Sequence, residues 1–492
     1  MTSLERITSS IDKLKISQIV IIGLILRLLA TFFSKGYGFS DDHFETVELA
    51  WQLQNHIPAW QPGEIYLFNM FYIYIHLAIF QLCDYLHLPA PEFKMFMVRL
   101  FHAIVSVPFI WLGYKMVAKI ASDRSAKLVA LALALFWIFP FMSVRSLREF
   151  ICITPLFIAF YHLENTQLST KNLIWAAVGF GIAFIFRLQI VFFPIGAGIY
   201  LLTQYKWKET LLLASFTIAF LMLTQGVFEY FYWGNPFASL VAYVEYNATN
   251  SGSYPNGPWY MFIFTILGLA IPPISLFLMS GYFKAFKKFP IMFWGSLAFI
   301  VFHSLFPNKQ ERFILPFFPV FIVLGIVGIE QFINEAKFKI FTNAWFRISL
   351  AISLVINIVA LSVLTFTYTK KSRCEAMSWF YDHKAEAIIF ANAGGSPSSP
   401  KFYGNQNFLS YELKSEADVE PLKTQIQSTG KRPTYIVVTS ETELEKTMAN
   451  ISKIYPNIVE MASFTPSFVD MIAYYLNPKH NVNETWTIYR IE

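Results

Sequence analysis

Asp41 and Asp42 stand side by side just after the first long apolar run of the chain, with Glu45 and Glu48 one turn further on. Two readings of this pair are physically open. Ser40 or Asp41 could cap a helix over Asp42–Gln54, where acids in the first turn complement the helix dipole. A carboxylate at a lipid–water boundary could equally act as a general base that deprotonates an attacking hydroxyl, and each acid could take one role. Lys309 and Arg312 form a second set, in the charged hinge Ser304–Phe313 between two apolar runs. An arginine fork grips phosphate oxygens bidentately and a lysine adds a point charge, although interfacial cations also snorkel towards water with no ligand at all. Arg187 lies between two apolar blocks, where a cation is costly and marks either a functional site or a packing partner for a carboxylate. Arg145, Arg148 and Glu149 make a similar cluster that could pair internally. The stretch Phe228–Trp259 is rich in Tyr, Trp, Asn and Gly, a composition that suits sugar faces or an aromatic belt.

The elements that must hold these residues are membrane helices. Of 492 residues 55% are hydrophobic and only 14% charged, against about 25% in soluble domains. Mean hydropathy is +0.47. Apolar blocks run over approximately 16–33, 96–116, 127–143, 149–164, 172–186, 188–204, 209–229, 259–281, 290–306, 313–332 and 345–367. Several are shorter than the roughly 20 residues of a perpendicular span, which predicts half-helices or tilted ends. A further block, 66–83, is placed by charge. If it does not cross, Lys115, Lys119, Arg124, Lys127, Lys171, Lys206, Lys208, Lys284, Lys287, Lys288, Lys337 and Lys339 all share the N-terminal side, as the positive-inside rule requires. We read it as a re-entrant or interfacial helix. Arg6, Lys13 and Lys15 ahead of Ile16–Phe33 predict a retained first span with a cytoplasmic flank.

The fold class expected is therefore a polytopic α-helical membrane protein of about 11 spans, followed by a small α/β domain outside the cytoplasm. Residues 1–367 form the membrane domain, with loops 34–95 and 230–258 on the outer face, and 368–492 the soluble extracytoplasmic domain. In that tail Ala387–Phe390, Thr434–Thr439 and Trp486–Ile491 read as strands, Ser440–Lys453 as a helix, and Ala393–Pro400 as a Gly/Ser/Pro loop. The net charge of +6 is spread in short patches that control topology, which speaks against a nucleic-acid partner. Cys83, Cys152 and Cys374 are isolated and suggest neither a disulfide framework nor a metal site. No segment matches a P-loop, a dinucleotide-binding glycine fingerprint or a serine-nucleophile elbow.

Three segments together resemble the GT-C superfamily and, within it, glycosyltransferase family 22. Ser40-Asp41-Asp42-His43-Phe44-Glu45-Thr46-Val47-Glu48 is similar to the family's first-loop acidic pattern. Glu229-Tyr230-Phe231-Tyr232-Trp233-Gly234-Asn235-Pro236, with Tyr246-Asn247 and Pro258-Trp259-Tyr260, resembles its aromatic loop. Pro307-Asn308-Lys309-Gln310-Glu311-Arg312-Phe313-Ile314-Leu315-Pro316 resembles its most specific motif. The resemblance spans roughly residues 20 to 330 and leaves the tail without a motif. It implies inverting transfer of a hexose, typically mannose, from a polyprenyl phosphate to a hydroxyl of a lipid-linked glycan or glycolipid, without a cofactor or metal. Asp41 would be the base, Asp42 a supporting acid, and Lys309 and Arg312 would stabilise the departing phosphate. Asn308, Glu229, Arg187, Arg145, Asn247, Trp259 and Tyr260 complete the expected binding set. Asn308 stands where the family has histidine, Gln310 and Glu229 where it has glutamate and aspartate, and Ser40 where it has proline. The usage of Lys, Asn and Ile points to a bacterial inner membrane rather than the endoplasmic reticulum, with the site on the periplasmic face. A transporter or flippase of lipid-linked glycans, or a ligase using the same lipid-phosphate chemistry, are the competing classes; a transporter predicts paired hydropathy repeats and discontinuous helices in both halves.

Overall fold

The computed structural model describes residues 11–59, 64–165, 167–254, 256–335, 344–392, 399–478 and 481–492. Arg6, Lys337, Lys339 and 393–398 of the expected loop lie outside them. Helices Ile16–Phe33, Pro91–Ile120, Trp207–Trp233 and Ala344–Thr365 are long and apolar enough to cross a membrane. Thr170–Phe186, Leu188–Thr203, Pro290–Leu305 and Phe317–Ile333 are apolar but shorter. A helix rises about 1.5 Å per residue, so such lengths fall short of the ~30 Å hydrocarbon core unless tilted or extended. The expected span at 259–281 is two helices, Met261–Leu269 and Ile274–Lys287, bent by 114°. Pro272 and Pro273 occupy the break, where each removes an amide donor and crowds the preceding turn. Counting that pair as one, five spans of full length are found among the described residues, so the expected eleven are not matched by full-length helices. Block 66–83 forms the 15-residue helix Phe71–Tyr85.

The chain divides into two compact units, the first made of 1–31, 60–75 and 99–365. Within it Arg27, fully buried, donates to Ser106 Oγ at 2.9 Å and to the carbonyls of Gly23 and Leu133 at 3.0 and 3.2 Å. Those bonds tie the first helix to the Pro91–Ser106 and Asp123–Leu135 helices and meet the cost of a guanidinium in an apolar setting. Elsewhere small residues set the helix spacing. A Cβ on Gly328 would lie 1.8 Å from the Gly281 carbonyl oxygen, and one on Gly281 would lie 2.1 Å from that of Gly325. Helices Ile274–Lys284 and Phe317–Asn334 thus pack backbone against backbone, the device that replaces hydrophobic drive inside lipid.

The second unit comprises 32–59, 76–98 and 366–492. Its five-stranded sheet has the order β2-β1-β3-β5-β4, with β1 Ala387–Ala391, β2 Leu409–Leu413, β3 Tyr435–Val438, β4 Ile458–Phe464 and β5 Trp486–Ile491. Strand β1 pairs parallel with both β2 and β3, whereas β5 runs antiparallel to β3 and β4. Ile389, Tyr411, Leu413, Ile436 and Val438 bury one sheet face under Leu422 and Ile451 of helices Val419–Thr429 and Leu444–Ser452. The sheet is thus a parallel core with an antiparallel edge, as the alternation of strands and helices in the tail implies.

Replacing Gly328 by Leu is expected to destabilise the first unit by on the order of 3 kcal/mol, because backbone rather than a movable side chain blocks the new atoms. Thermal unfolding in detergent checks this. Gly268→Ala, where nothing lies within 4 Å of the added atom, should leave the midpoint unchanged.

Candidate active site

In the first unit the turn after the helix Ile138–Met142 carries Arg145, Arg148 and Glu149. Glu149 is 2% exposed, and its charge reaches beyond its own turn to arginines of two other segments. Its Oε1 accepts from Arg187 Nη1 at 2.5 Å and faces Arg312 Nε at 3.9 Å. Arg187 is placed there because the helix Thr170–Phe186 stops at it in an extended conformation before the turn Leu188–Val191. Arg312 arrives from the turn Glu311–Ile314, held by Gln310 Oε1 accepting from its Nε at 2.9 Å. Arg148 adds a third charge near Glu149, donates to Tyr66 Oη at 3.2 Å and lies 4.1 Å above the Phe68 ring. Three guanidiniums therefore face one carboxylate, all less than a tenth exposed. Arg187 Nε and Nη2 and Glu149 Oε2 are buried without a hydrogen-bond partner. Unpaired N–H groups in this setting are costly, and an anion with several oxygens would satisfy them.

The remaining expected residues of this unit are placed differently. Lys309 sends its ammonium to the carbonyls of His303 at 2.6 Å, of Ser304 at 2.8 Å, and of Phe306. It closes the C-terminal end of helix Pro290–Leu305, a favourable seat for a cation, and this leaves no ammonium hydrogen for a phosphate. Burial also draws its ammonium below the ordinary lysine range. Glu229 is fully buried and accepts from Ser239 N and Oγ at 2.9 and 2.5 Å, Gln225 Nε2 at 2.9 Å and Asn69 Nδ2 at 3.2 Å. It organises three segments instead of facing a ligand. Asn308 bridges Asn256 backbone to backbone, with its Oδ1 buried and without a partner. Asn247 folds its amide back on the Tyr243 carbonyl at 2.8 Å. Arg145 lies 4.6 Å above the Phe141 ring. Trp259 and Tyr260 are 62% and 45% exposed, their rings 5.7 Å apart and edge to face.

In the second unit Asp41 is exposed and Asp42 only 4% exposed. The helix begins earlier than expected, at Ser40 after Phe39, and no side chain caps it, so the capping reading of Ser40 and Asp41 fails. The segment then widens into a π-helical turn, His43–Glu48, before Leu49–Gln54. This segment is anchored by residues that the motif did not explain. Glu48 accepts from Phe402 N at 2.9 and 3.1 Å through its two oxygens. Trp51 Nε1 donates to Asn405 Oδ1 at 2.9 Å. His43 stacks between Tyr37 and Tyr403, at 4.3 and 5.7 Å, and its Nε2 lies 3.4 Å from Glu48 Oε1. Upstream, Thr369 holds the carbonyls of Lys35 and Tyr37. No sequence signal in the tail marked these partners.

Solved structures of the GT-C fold are similar to this chain. ArnT from Cupriavidus metallidurans, in a structure bound to undecaprenyl phosphate, superposes with a TM-score of 0.61 over 96% of this chain and 97% of that one, at 12% identity. An oligosaccharyltransferase of Archaeoglobus fulgidus superposes with a TM-score of 0.52 over 89% and 69% of the two chains, at 14% identity. Residues 18–398 match the Alg9-like mannosyltransferase family, and the chain belongs to it. The alpha-1,2-mannosyltransferase ALG9 of Mus musculus is 26% identical over 146 residues, which are 26% of this chain and 24% of that protein. The chain thus spans about a quarter of the length of the curated relative it matches. Fold and family make it an integral membrane protein.

Glu149→Gln should cost about 3–5 kcal/mol, since it strips the countercharge from two buried arginines. Thermal unfolding of the purified variant tests this, and a midpoint at the wild-type value would contradict the pairing.

Proposed function

We propose that the chain is a glycosyltransferase that moves a hexose, mannose in keeping with its family, from a polyprenyl phosphate to a hydroxyl of a lipid-linked glycan or glycolipid. The observation that carries this is the buried Arg148–Arg187–Arg312 group around Glu149, in which Arg187 Nε and Nη2 have no hydrogen-bond partner. It suits the two or more free oxygens of a phosphodiester that becomes a dianionic leaving group. Asp41, exposed beside the buried Asp42, takes the proton of the acceptor hydroxyl. The oxygen then attacks the anomeric carbon from the face opposite the phosphate; that C–O bond forms as the bond to phosphate breaks, and the configuration inverts. Asp42 supports the charge of its neighbour. Lys309 fixes the loop that presents Arg312, and Gln310 orients the guanidinium. Trp259 and Tyr260, the exposed aromatic pair, offer ring faces to sugar. Neither cofactor nor metal enters this scheme.

Basic loops gathered on the N-terminal side support a site on the opposite, outer face of a bacterial inner membrane, with 368–492 on that same side. The transport reading receives little support, because a single broken helix pair is found among the described residues where an alternating-access fold uses two related ones.

The test is transfer of radiolabelled sugar from synthetic polyprenyl-phosphate mannose, and separately glucose, to a membrane lipid extract. Wild-type protein is expected to transfer mannose, and Asp41→Asn to lose at least about a hundredfold in rate, the worth of a general base. Equal rates in both would remove Asp41 from that role. Unaided movement of intact lipid-linked glycan across vesicles, without transfer, would support the flippase.

A further inference from the structure

The second unit contains a cleft of about 340 Å³ lined by Lys35, Glu92, Tyr368, Glu375, Ser378, Trp379 and Phe464. The reaction scheme uses none of these residues. Their positions along the chain are informative. Lys35 lies just beyond the first long apolar helix, Glu92 opens the helix Pro91–Ile120, and Tyr368 follows the last one, Ala344–Thr365. On the topology proposed above, all three segments enter or leave lipid on the same side as Asp41.

The lining has a definite chemistry. Tyr368 Oη donates to Glu92 Oε1 at 3.4 Å, and Lys35 Nζ sits 5.9 Å from the Tyr368 ring centre. Glu375 is joined to Lys371 only loosely, at 3.9 Å. Burial pushes the Glu375 carboxyl up, and the charge of Glu92 adds to this. Ser378 Oγ is buried without a partner. Trp379 is fixed by stacking on His383 at 3.6 Å, so its ring is rigid before any ligand arrives. Two carboxylates, a hydroxyl and preordered rings, with a single ammonium among them, disfavour another phosphate and suit neutral polyols. Carboxylates accept paired hydrogen bonds from vicinal hydroxyls, and aromatic faces cover the apolar C–H patches of a pyranose. The volume is at the small end for ligand pockets and matches one or two sugar rings.

We propose that this cleft is a subsite for uncharged hexose residues of the acceptor glycan, away from the sugar that is extended. Glu92 and Glu375 hold ring hydroxyls, and Trp379 with Tyr368 packs the ring. The identity of this ligand as acceptor rests on the transferase reading, but its binding chemistry does not.

The experiment uses the full chain in lipid nanodiscs and α-linked mannotriose as the probe, read by saturation-transfer NMR, with chitosan trimer as a cationic competitor. Acceptor and donor KM are measured in parallel. Binding of mannotriose is expected, weakened at least about tenfold in Glu375→Gln and in Glu92→Gln, the loss of one hydrogen bond to a charged group. Acceptor KM should rise by the same factor while donor KM holds. Because Trp379 also packs on His383 and Tyr435, the carboxamide variants carry the test and Trp379→Phe only adds to it. Preference for the cationic trimer, or mannotriose binding that neither carboxamide variant alters, would overturn the subsite. If the variants transfer sugar with wild-type acceptor KM, the subsite falls and the transferase stands. If mannotriose binds and is lost in the variants but no sugar is transferred, the subsite stands and the transferase reading falls.

Discussion

Taking several guanidiniums out of water in an apolar helical protein is the constraint on which the rest of this structure depends. Glu149 compensates Arg187 directly and Arg312 at longer range, and aromatic rings cover what it does not: Phe313 lies 4.9 Å beneath Arg187 and Phe68 4.1 Å beneath Arg148. A buried ion pair of this kind contributes little net stability, because desolvation offsets most of the attraction. Its persistence with unsatisfied N–H groups is intelligible if a ligand supplies the missing oxygens. The surrounding architecture follows from it. The Thr170–Phe186 helix ends where Arg187 must turn inward, and Lys309 spends its charge on closing a helix so that the neighbouring loop presents Arg312 at a fixed height.

The acidic segment is stabilised by a different device. Glu48, the last residue of the first-loop motif, accepts from the backbone amide of Phe402, while His43 is clasped by Tyr37 and Tyr403. Asp41 and Asp42 thereby lie in the short turn Ser40–Asp42, directly before a π-helical turn that is bonded into the tail sheet's own unit. The tail of such a chain is therefore part of the scaffold that orients the acids, and no detachable accessory. A wide turn held at both ends is a suitable mount for a carboxylate that must stay partly exposed.

Much of this was legible in residue order. The charge pattern and apolar blocks identified a helical membrane protein, and β1, β3 and β5 were readable as Ala387–Phe390, Thr434–Thr439 and Trp486–Ile491, because Ile, Val, Tyr and Trp are concentrated in them. Strand β4 escaped because Ile458–Phe464 lies at the sheet edge, half exposed and interrupted by a bulge near Glu460, so it lacks a clean alternation. Strand β2, also at an edge, carries Ser410 and Glu412 between its apolar residues. Lengths of membrane helices were harder: apolar composition does not reveal the 114° break at Pro272–Pro273, and Arg27 was hidden inside the first apolar run although it ties three helices. At the site, Arg187 and Arg312 were visible as misplaced charges, but their shared carboxylate was not, since Glu149 is remote from both in sequence. Glu229 was singled out by the family resemblance and Lys309 as a cation in the charged hinge, and the structure shows both in internal hydrogen bonds.

The proposed role of the arginine group is to hold a lipid phosphate. Its most direct test is binding of sugar-free undecaprenyl phosphate to the full chain in nanodiscs, comparing wild type with Arg187→Gln and with Lys309→Gln. A loss of at least about tenfold in affinity is expected for Arg187→Gln, the worth of one charge-assisted pair, and a smaller loss for Lys309→Gln. Equal affinity of wild type and Arg187→Gln would contradict it.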